Sequence, residues 1–432
     1  MQSNTFHGWA FESHYRGGRK LIYRYSPTVL FIQNYELDDS RFIRTYQLAQ
    51  YTNYVATVHV IGDNIKVQEG PKHSYIGANL SLMDSWSHSS EFNNGINNGE
   101  HFEGDLTLHF QTTENSKVTL ALRLGFYCSE ATGSVSFSNF TLCEDDSRLI
   151  LGTGQIRLNI NLSDLEEAPE ILDHHEKFLE RMGKAYNSMF ELYNKYPFDH
   201  KVIFYETRTG VGAWAIAGNP IIWNNKSCIG YFRSLVNKNE ELKQQFSQNK
   251  SVPPPATPMP DPDSINATLV VNQDEDLFFD DACFGTLHEM GHNFDMSGLW
   301  RINHENGANF NLCYAVEIND LPIYFDNELT RGRGLQDGFY KRVYERTIGN
   351  TQERKYSHDG LLYCILRIKD SIGWGPFKKV FSKYAQKNPP KQLTKAQLIK
   401  LMLVELSKAS GYDVLKTFPP GELQFILSQE NY

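Results

Sequence analysis

The 432-residue chain lacks any run of roughly 18 uninterrupted apolar residues, so it offers no helix long enough to cross a bilayer. It also lacks a basic excess. A net charge of -9 and a pI of about 5.9 exclude the electropositive stripe of a nucleic-acid-binding surface. No Cys-x-x-Cys pair occurs among Cys128, Cys143, Cys228, Cys283, Cys313 and Cys364, which removes a cysteine-ligated zinc cluster. No internal repeat is present. The opening Met1-Gln2-Ser3-Asn4 has neither a basic n-region nor an apolar h-region, so this sequence shows no signal peptide. What remains is ordinary for a folded soluble chain: 40% hydrophobic and 22% charged residues, over a length that suits two or three domains.

The first 145 or so residues read as β. Apolar and polar residues alternate in Tyr54–Ile61, Leu106–Phe110, Val118–Leu124 and Gly133–Leu142, with Gly, Asn, Asp and Ser clusters between them. Short alternating strands with polar turns predict an antiparallel sandwich. Cys128 and Cys143 flank one of these strands, and they either bridge in an oxidising compartment or stay as free thiols. Six glycosylation sequons, at Asn79, Asn139, Asn161, Asn225, Asn249 and Asn266, favour a secreted or extracellular protein, with a cytoplasmic one as the alternative.

Cys143 to Ser147 is acidic and polar, and the boundary is drawn there: 1–147 as a β-sandwich and 148–432 as a second domain. A strand at Ile156–Ile160 opens the second domain. Glu166 to Tyr196 has helical periodicity, with Ile171, Phe178, Leu179, Met182, Ala185, Met189, Leu192 and Tyr193 on one face. A β segment follows at Lys201–Tyr205. Ser251 to Asp263, with Pro253-Pro254-Pro255, reads as an exposed stiff loop. From Asp280 onward the chain reads as mostly helical, broken near Gly349, Gly373, Pro389-Pro390 and Pro419-Pro420.

The chemistry concentrates in His288-Glu289-Met290-Gly291-His292. Two histidines four apart stack one turn from each other on a helix, so both imidazoles can reach one metal ion while the glutamate handles a proton. Asp280 and Asp281 precede the segment and suit a helix start. Phe284, Leu287, Gly291 and Phe294 can face a core while His288 and His292 face a cleft. A catalytic zinc needs a third protein ligand and an open position for water. Candidates are Asp295, His304, Glu305 and Glu317, with Asp295 alternatively orienting a histidine from outside the ligand set. Position 298 is Gly298, which excludes the elongated three-histidine arrangement. Glu305 opens a plausible next helix, and Glu317 would lie about three turns further on.

These residues resemble the enhancin-like, mucin-directed zinc peptidases of family M-60, whose pattern is HExxH, a short gap and a Glu. "GAWAIAGNPIIWN" at 212–224 is similar to that family's segment upstream of the zinc helix, and "HEMGHN" at 288–293 matches its core. Glu305 with Asn309 matches the glutamate-then-asparagine helix. "LLYCILRIKDSIGWGPFKKVFSKY" at 361–384 is similar to its Tyr-containing helix and Gly-Trp element, and "LMLVELSKASGYDVLKTF" at 401–418 to its closing segment. The likeness spans roughly 155 to 425. It implies a multidomain α+β chain with a gluzincin-type metallopeptidase domain, largely helical after the zinc helix. It implies Zn2+ held by His288, His292 and Glu305, with Glu289 as general base. His304 stands where the family has Thr or a similar residue, and 251–263 looks like an insertion; both leave substrate preference open.

The N-terminal strand order resembles jelly-roll carbohydrate-binding modules. Trp9, Trp86 and the loop Ser85 to Gly104 would form a stacking platform for sugar rings there, or else fill the sandwich core. The resulting expectation is a zinc endopeptidase cleaving glycoproteins or mucins. His304, Tyr314 or Tyr363 would then donate to the developing oxyanion. The alternative is a catalytically weak or inactive scaffold of the same fold that binds glycans or a protein partner.

Overall fold

In the computed structural model the described residues are 6–14, 21–68, 76–83, 98–127, 129–198, 201–208, 214–249, 281–295, 303–385 and 393–429. The architecture is mixed α+β, in two compact units. One comprises Met1–Leu149 with Asn159–Ser163 and Thr207–Gly212; the other comprises Ile150–Leu158, Asp164–Glu206 and Ala213–Tyr432. No helix among the described residues is long and apolar enough to cross a membrane.

The first unit is a two-sheet antiparallel sandwich, as the alternation predicts. Its strands are β1 (Ala10–Ser13), β2 (Leu21–Tyr25), β3 (Val29–Asp38), β4 (Ser40–Gln47), β5 (Asn53–Val67), β6 (Ala78–Leu82), β7 (Asn98–Gln111), β8 (Lys117–Leu124) and β9 (Ala131–Glu144). One sheet runs β1-β4-β8-β6 and the other β2-β3-β9-β5-β7. Alternate residues such as Ile32, Val58, Leu106, Leu122 and Phe137 fill the space between them. The strand pairs with strong alternation are those anticipated from sequence, and each extends beyond its anticipated run. Short strands such as β1 and β6 carry too few residues to show a period.

Several particulars decide between the alternatives left open by the sequence or depart from them. Trp9 is a core residue, edge-on to Phe6 at 6.0 Å and to Phe140 at 5.2 Å, and not part of a stacking platform. Its large ring gains more from burial than from water. Trp86 lies outside the described residues, and 98–104 belong to β7 rather than to a loop. Cys143 sits within β9 as an exposed free thiol, and Cys128 lies outside the described residues. The sequon at Asn79 is buried. Its amide donates to the carbonyls of Gly77 and Gly125, both at 3.0 Å, which leaves no nitrogen for a glycan. Arg123 and Asp39, both fully buried, pair at the end of this core. Arg41 and the Tyr127 N–H complete the carboxylate's partners at 3.1 Å each.

The second unit builds on a five-stranded sheet in the order β10-β11-β12-β14-β13, from β10 (Arg148–Leu151), β11 (Ile156–Asn161), β12 (Val202–Thr207), β13 (Ala215–Ile216) and β14 (Ile221–Asn224). A hairpin, β15 (Ile323–Phe325) with β16 (Glu328–Thr330), follows later. The helices are α1 (Leu162–Glu167), α2 (Glu170–Tyr193), α3 (Asn225–Asn249), α4 (Phe284–Asp295), α5 (His304–Asn319), α6 (Lys341–Arg346), α7 (His358–Ile372), α8 (Trp374–Ala385), α9 (Lys395–Ser410) and α10 (Glu422–Ser428). All eight apolar residues predicted to share the face of α2 are buried. Phe178 from that face meets Phe204 at 5.3 Å, Trp223 at 5.4 Å and Phe232 at 5.8 Å. The breaks at Gly373 and at Pro419-Pro420 fall between helices as predicted. Ser251 to Asp263 and Pro389-Pro390 lie outside the described residues.

Candidate metal centre on two crossed helices

The segment 288–292 is helical, in the middle of α4. Leu287, Met290 and Phe294 point inward, and Phe294 packs on Tyr186 at 5.4 Å and Tyr193 at 5.6 Å. That leaves His288 and His292 on the opposite side, half-buried, with ring centroids 4.5 Å apart and planes nearly perpendicular. Just before the helix, the Asp281 carboxylate accepts the N–H of Cys283 and that of Tyr324, both at 3.0 Å. Asp281 thus stands ahead of α4 and ties the turn before it to β15, while the first turn of the helix itself holds no acidic residue, contrary to the anticipated acidic start. Asp280 lies outside the described residues.

Helix α5 crosses α4 at very close range. A Cβ on Gly291 would lie 2.4 Å from the carbonyl oxygen of Ala308, a distance no side chain tolerates. Asn311, fully buried, fixes this crossing: its Nδ2 donates to the Gly291 carbonyl at 2.9 Å while its Oδ1 accepts from Tyr193 Oη at 2.8 Å. The close approach brings Glu305, from the first turn of α5, to the histidines. Its Oε2 lies 3.1 Å from His288 Nε2 and its Oε1 3.7 Å from His292 Nε2. His288 Nδ1 faces Asn309 Oδ1 at 2.7 Å, so that nitrogen carries the proton and Nε2 presents a lone pair.

Glu289 belongs to the same group. Ligand atoms of His288, Glu289 and His292 all lie within 4.8 Å of one another, the one such cluster of His, Cys, Asp or Glu among the described residues. Burial, helped by the charge of Glu305, pushes the Glu289 carboxyl up to about 7, although the Ala217 N–H donates to it and opposes the rise. Ala217 follows β13, and the Asn293 amide donates to the Gly218 carbonyl at 2.8 Å, which fastens this turn to α4. His292 is pushed down to about 4, first by burial and then by His288, so its imidazole is neutral at ordinary pH. Two imidazole nitrogens and a carboxylate are a donor set that suits zinc, so the residues fit such an ion.

Of the remaining sequence candidates, Glu317 is held away from this point. Glu317 lies further along α5 and pairs with Lys369 at 2.7 Å. His304 opens α5, exposed, and its charge contributes to the lowering at His292. Asp295 closes α4, and its side chain lies outside the described residues. Tyr314 is buried edge-on to Trp374 at 4.7 Å, and Tyr363 packs on Tyr344 at 4.9 Å. Neither has a hydrogen bond to the histidine group among the described residues. Sequence reasoning missed the Ala217 N–H, because no motif marks a backbone donor from another strand. A cleft of about 630 Å³ opens beside His288 and Glu289, walled by Trp214, Phe284, Tyr324 and the start of α3.

Residues 269–418 match the family profile described as Peptidase M60, enhancin and enhancin-like. No curated protein matches the chain. Solved structures similar to it include a functionally unknown conserved protein from Bacillus anthracis str. Ames, with 11% identity and a TM-score of 0.42 over 90% of this chain and 79% of that one. A metallopeptidase from Bacteroides thetaiotaomicron has 9% identity and a TM-score of 0.40 over 86% of this chain and 60% of that one. The IMPa metallopeptidase from Pseudomonas aeruginosa has 10% identity and a TM-score of 0.35 over 91% of this chain. The match covers 51% of its own length, so this chain spans about half of it. Residues 269–418, with His288, Glu289, His292 and Glu305 among them, thus carry the signature of the Peptidase M60, enhancin and enhancin-like family.

Proposed function

We propose that this chain is a zinc-dependent endopeptidase acting on glycoproteins or mucins, with His288, His292 and Glu305 as the metal ligands and Glu289 as the general base. The observation that carries the reading is the convergence of Glu305 on both Nε2 atoms, with Glu289 in the same cluster. Bound zinc would supply Lewis acidity and a water that ionises near neutrality. Glu289 would take the proton of an attacking water as the water oxygen bonds to the peptide carbonyl carbon. As the C–N bond breaks, Glu289 returns the proton to the departing amine. The Ala217 N–H orients one oxygen of Glu289, leaving the other for the water. Asn309 holds the His288 ring in the ligating tautomer. The family match supports the glycoprotein substrate class, and in this reading 1–147 serves as a carbohydrate-binding-like module and 148–432 as the peptidase domain.

The experiment compares wild type with Glu289→Gln on a mucin-type glycoprotein, before and after chelation. Cleavage by wild type should fall by about 10²–10⁴ in the variant and vanish with chelator. Equal cleavage by both proteins refutes the mechanism.

A further inference from the structure

Three side chains outside the His–Glu–His–Glu group meet where α5 and α7 begin. Asn303 precedes α5 in extended conformation, and its Oδ1 accepts the Asn306 N–H at 3.1 Å. That bond commits the oxygen end of the amide to capping the helix. The NH2 end therefore turns outward, where it meets His358 Nε2 at 3.4 Å. An NH2 group only donates, so Nε2 accepts and the ring proton sits on Nδ1. Nδ1 lies 3.3 Å from Tyr356 Oη, and the two rings stand edge to face. One tautomer of His358 satisfies both neighbours at once.

The same turn of α7 carries Asp359, half-buried. Burial raises its carboxyl above the ordinary range, and the charge of Glu305 adds to the rise. The starts of α5 and α7 are thus electrostatic neighbours. The first turn of a helix is the part most prone to fray, because its N–H groups have no partner within the helix. Glu305 sits in that turn of α5, its side chain 57% exposed. Its only hydrogen-bond or ion-pair partners among the described residues are the two imidazoles.

We infer that Tyr356 and His358 are positioning residues for Glu305: by holding Asn303 in its capping position they fix the turn of α5 from which Glu305 faces His288 and His292. This inference rests on the reading of Glu305 as a metal ligand.

The test measures Zn2+ and Co2+ affinity of the full chain by competition with a chromophoric chelator, together with the visible spectrum of the Co2+ form and the thermal midpoint of the metal-free protein. His358→Phe should bind about 10–100-fold more weakly than wild type, with an altered Co2+ spectrum and a metal-free midpoint within a few degrees. His358→Gln, whose amide oxygen can accept from Asn303, should recover most of the affinity. Tyr356→Phe should lose about three- to tenfold. If Glu305→Ala weakens binding while His358→Phe and Tyr356→Phe bind as tightly as wild type, the positioning role is wrong. If wild type binds no zinc, or Glu305→Ala binds as tightly as wild type, the ligand reading itself fails and the inference falls with it. Should His358→Phe not fold, Tyr356→Phe decides alone: unchanged affinity overturns the inference.

Discussion

Gly291→Ala is the substitution that the α4–α5 crossing forbids most directly. The added carbon would sit 2.4 Å from the Ala308 carbonyl oxygen and 3.0 Å from its Cα. A carbon and a carbonyl oxygen approach no nearer than about 3.3 Å in favourable contacts. The opposing atoms are backbone, so no side-chain rotation relieves the clash, and the helices must part by roughly 1 Å. Overpacking of this kind costs about 1–3 kcal/mol. The bond from Asn311 to the Gly291 carbonyl, now 2.9 Å, stretches out of range and adds about 1 kcal/mol. The expected loss is about 2–4 kcal/mol, read as a lower denaturant midpoint of the metal-free protein with an unchanged slope. Glu305 lies one turn before Ala308 on α5, so the same displacement carries its carboxylate away from Nε2 atoms now 3.1 and 3.7 Å distant. Metal affinity should therefore fall at least tenfold. A Gly291→Ala protein with wild-type midpoint and wild-type zinc affinity would refute the claim that this crossing sets the site.

Asn309→Ala removes the acceptor of His288 Nδ1, and zinc affinity by chelator competition should drop about 10–100-fold with little change in fold; an unchanged affinity argues against the tautomer assignment. In the sandwich, burial alone would raise Asp145, but hydrogen bonds from His109 and Ser147 outweigh it and hold the carboxyl down at about 2. A carboxyl depressed by folding contributes stability above its unfolded value, lost as pH falls from about 4 toward 2. Wild type should lose about 2 kcal/mol more than Asp145→Asn over that window in acid titration; parallel curves count against it. Arg123→Met strips the fully buried Asp39 of its main counter-charge and should cost about 3–5 kcal/mol by denaturant melt, with a loss under 1 kcal/mol contradicting this.

The metal motif was legible in sequence because its spacing is local: four residues on a helix fix the relation of His288 to His292 whatever surrounds them. The proposed third ligand was not equally legible. Asp295, His304, Glu305 and Glu317 all had suitable chemistry, and only the approach of α5 at Gly291 and Ala308 separates Glu305 from Glu317. Asn309 stood one turn after Glu305, so its presence on the same face could be read. Its bond to His288 depends on the helix crossing and could not. Tyr356, His358 and the Ala217 N–H come from elements remote in sequence, with no periodicity linking them to α4. In the sandwich, alternation located β5, β7, β8 and β9, and the size of Trp9 already pointed to the core as one of its two places, but nothing local showed that the sequon at Asn79 is sealed inside.

Asparagine side chains bind α4 on two sides. Asn311 joins it to α5 and α2, and Asn293 joins it to the turn after β13. On the proposed reading, a centre braced in this way takes its shape from side chains of the protein rather than from an ion. In small zinc-stapled domains, by contrast, metal affinity and folding free energy are one quantity. In the proposed centre the two would be separable, because the contacts that hold the helices together are the protein's own. Availability of metal, rather than integrity of the fold, would then set how much of the protein is competent at any moment.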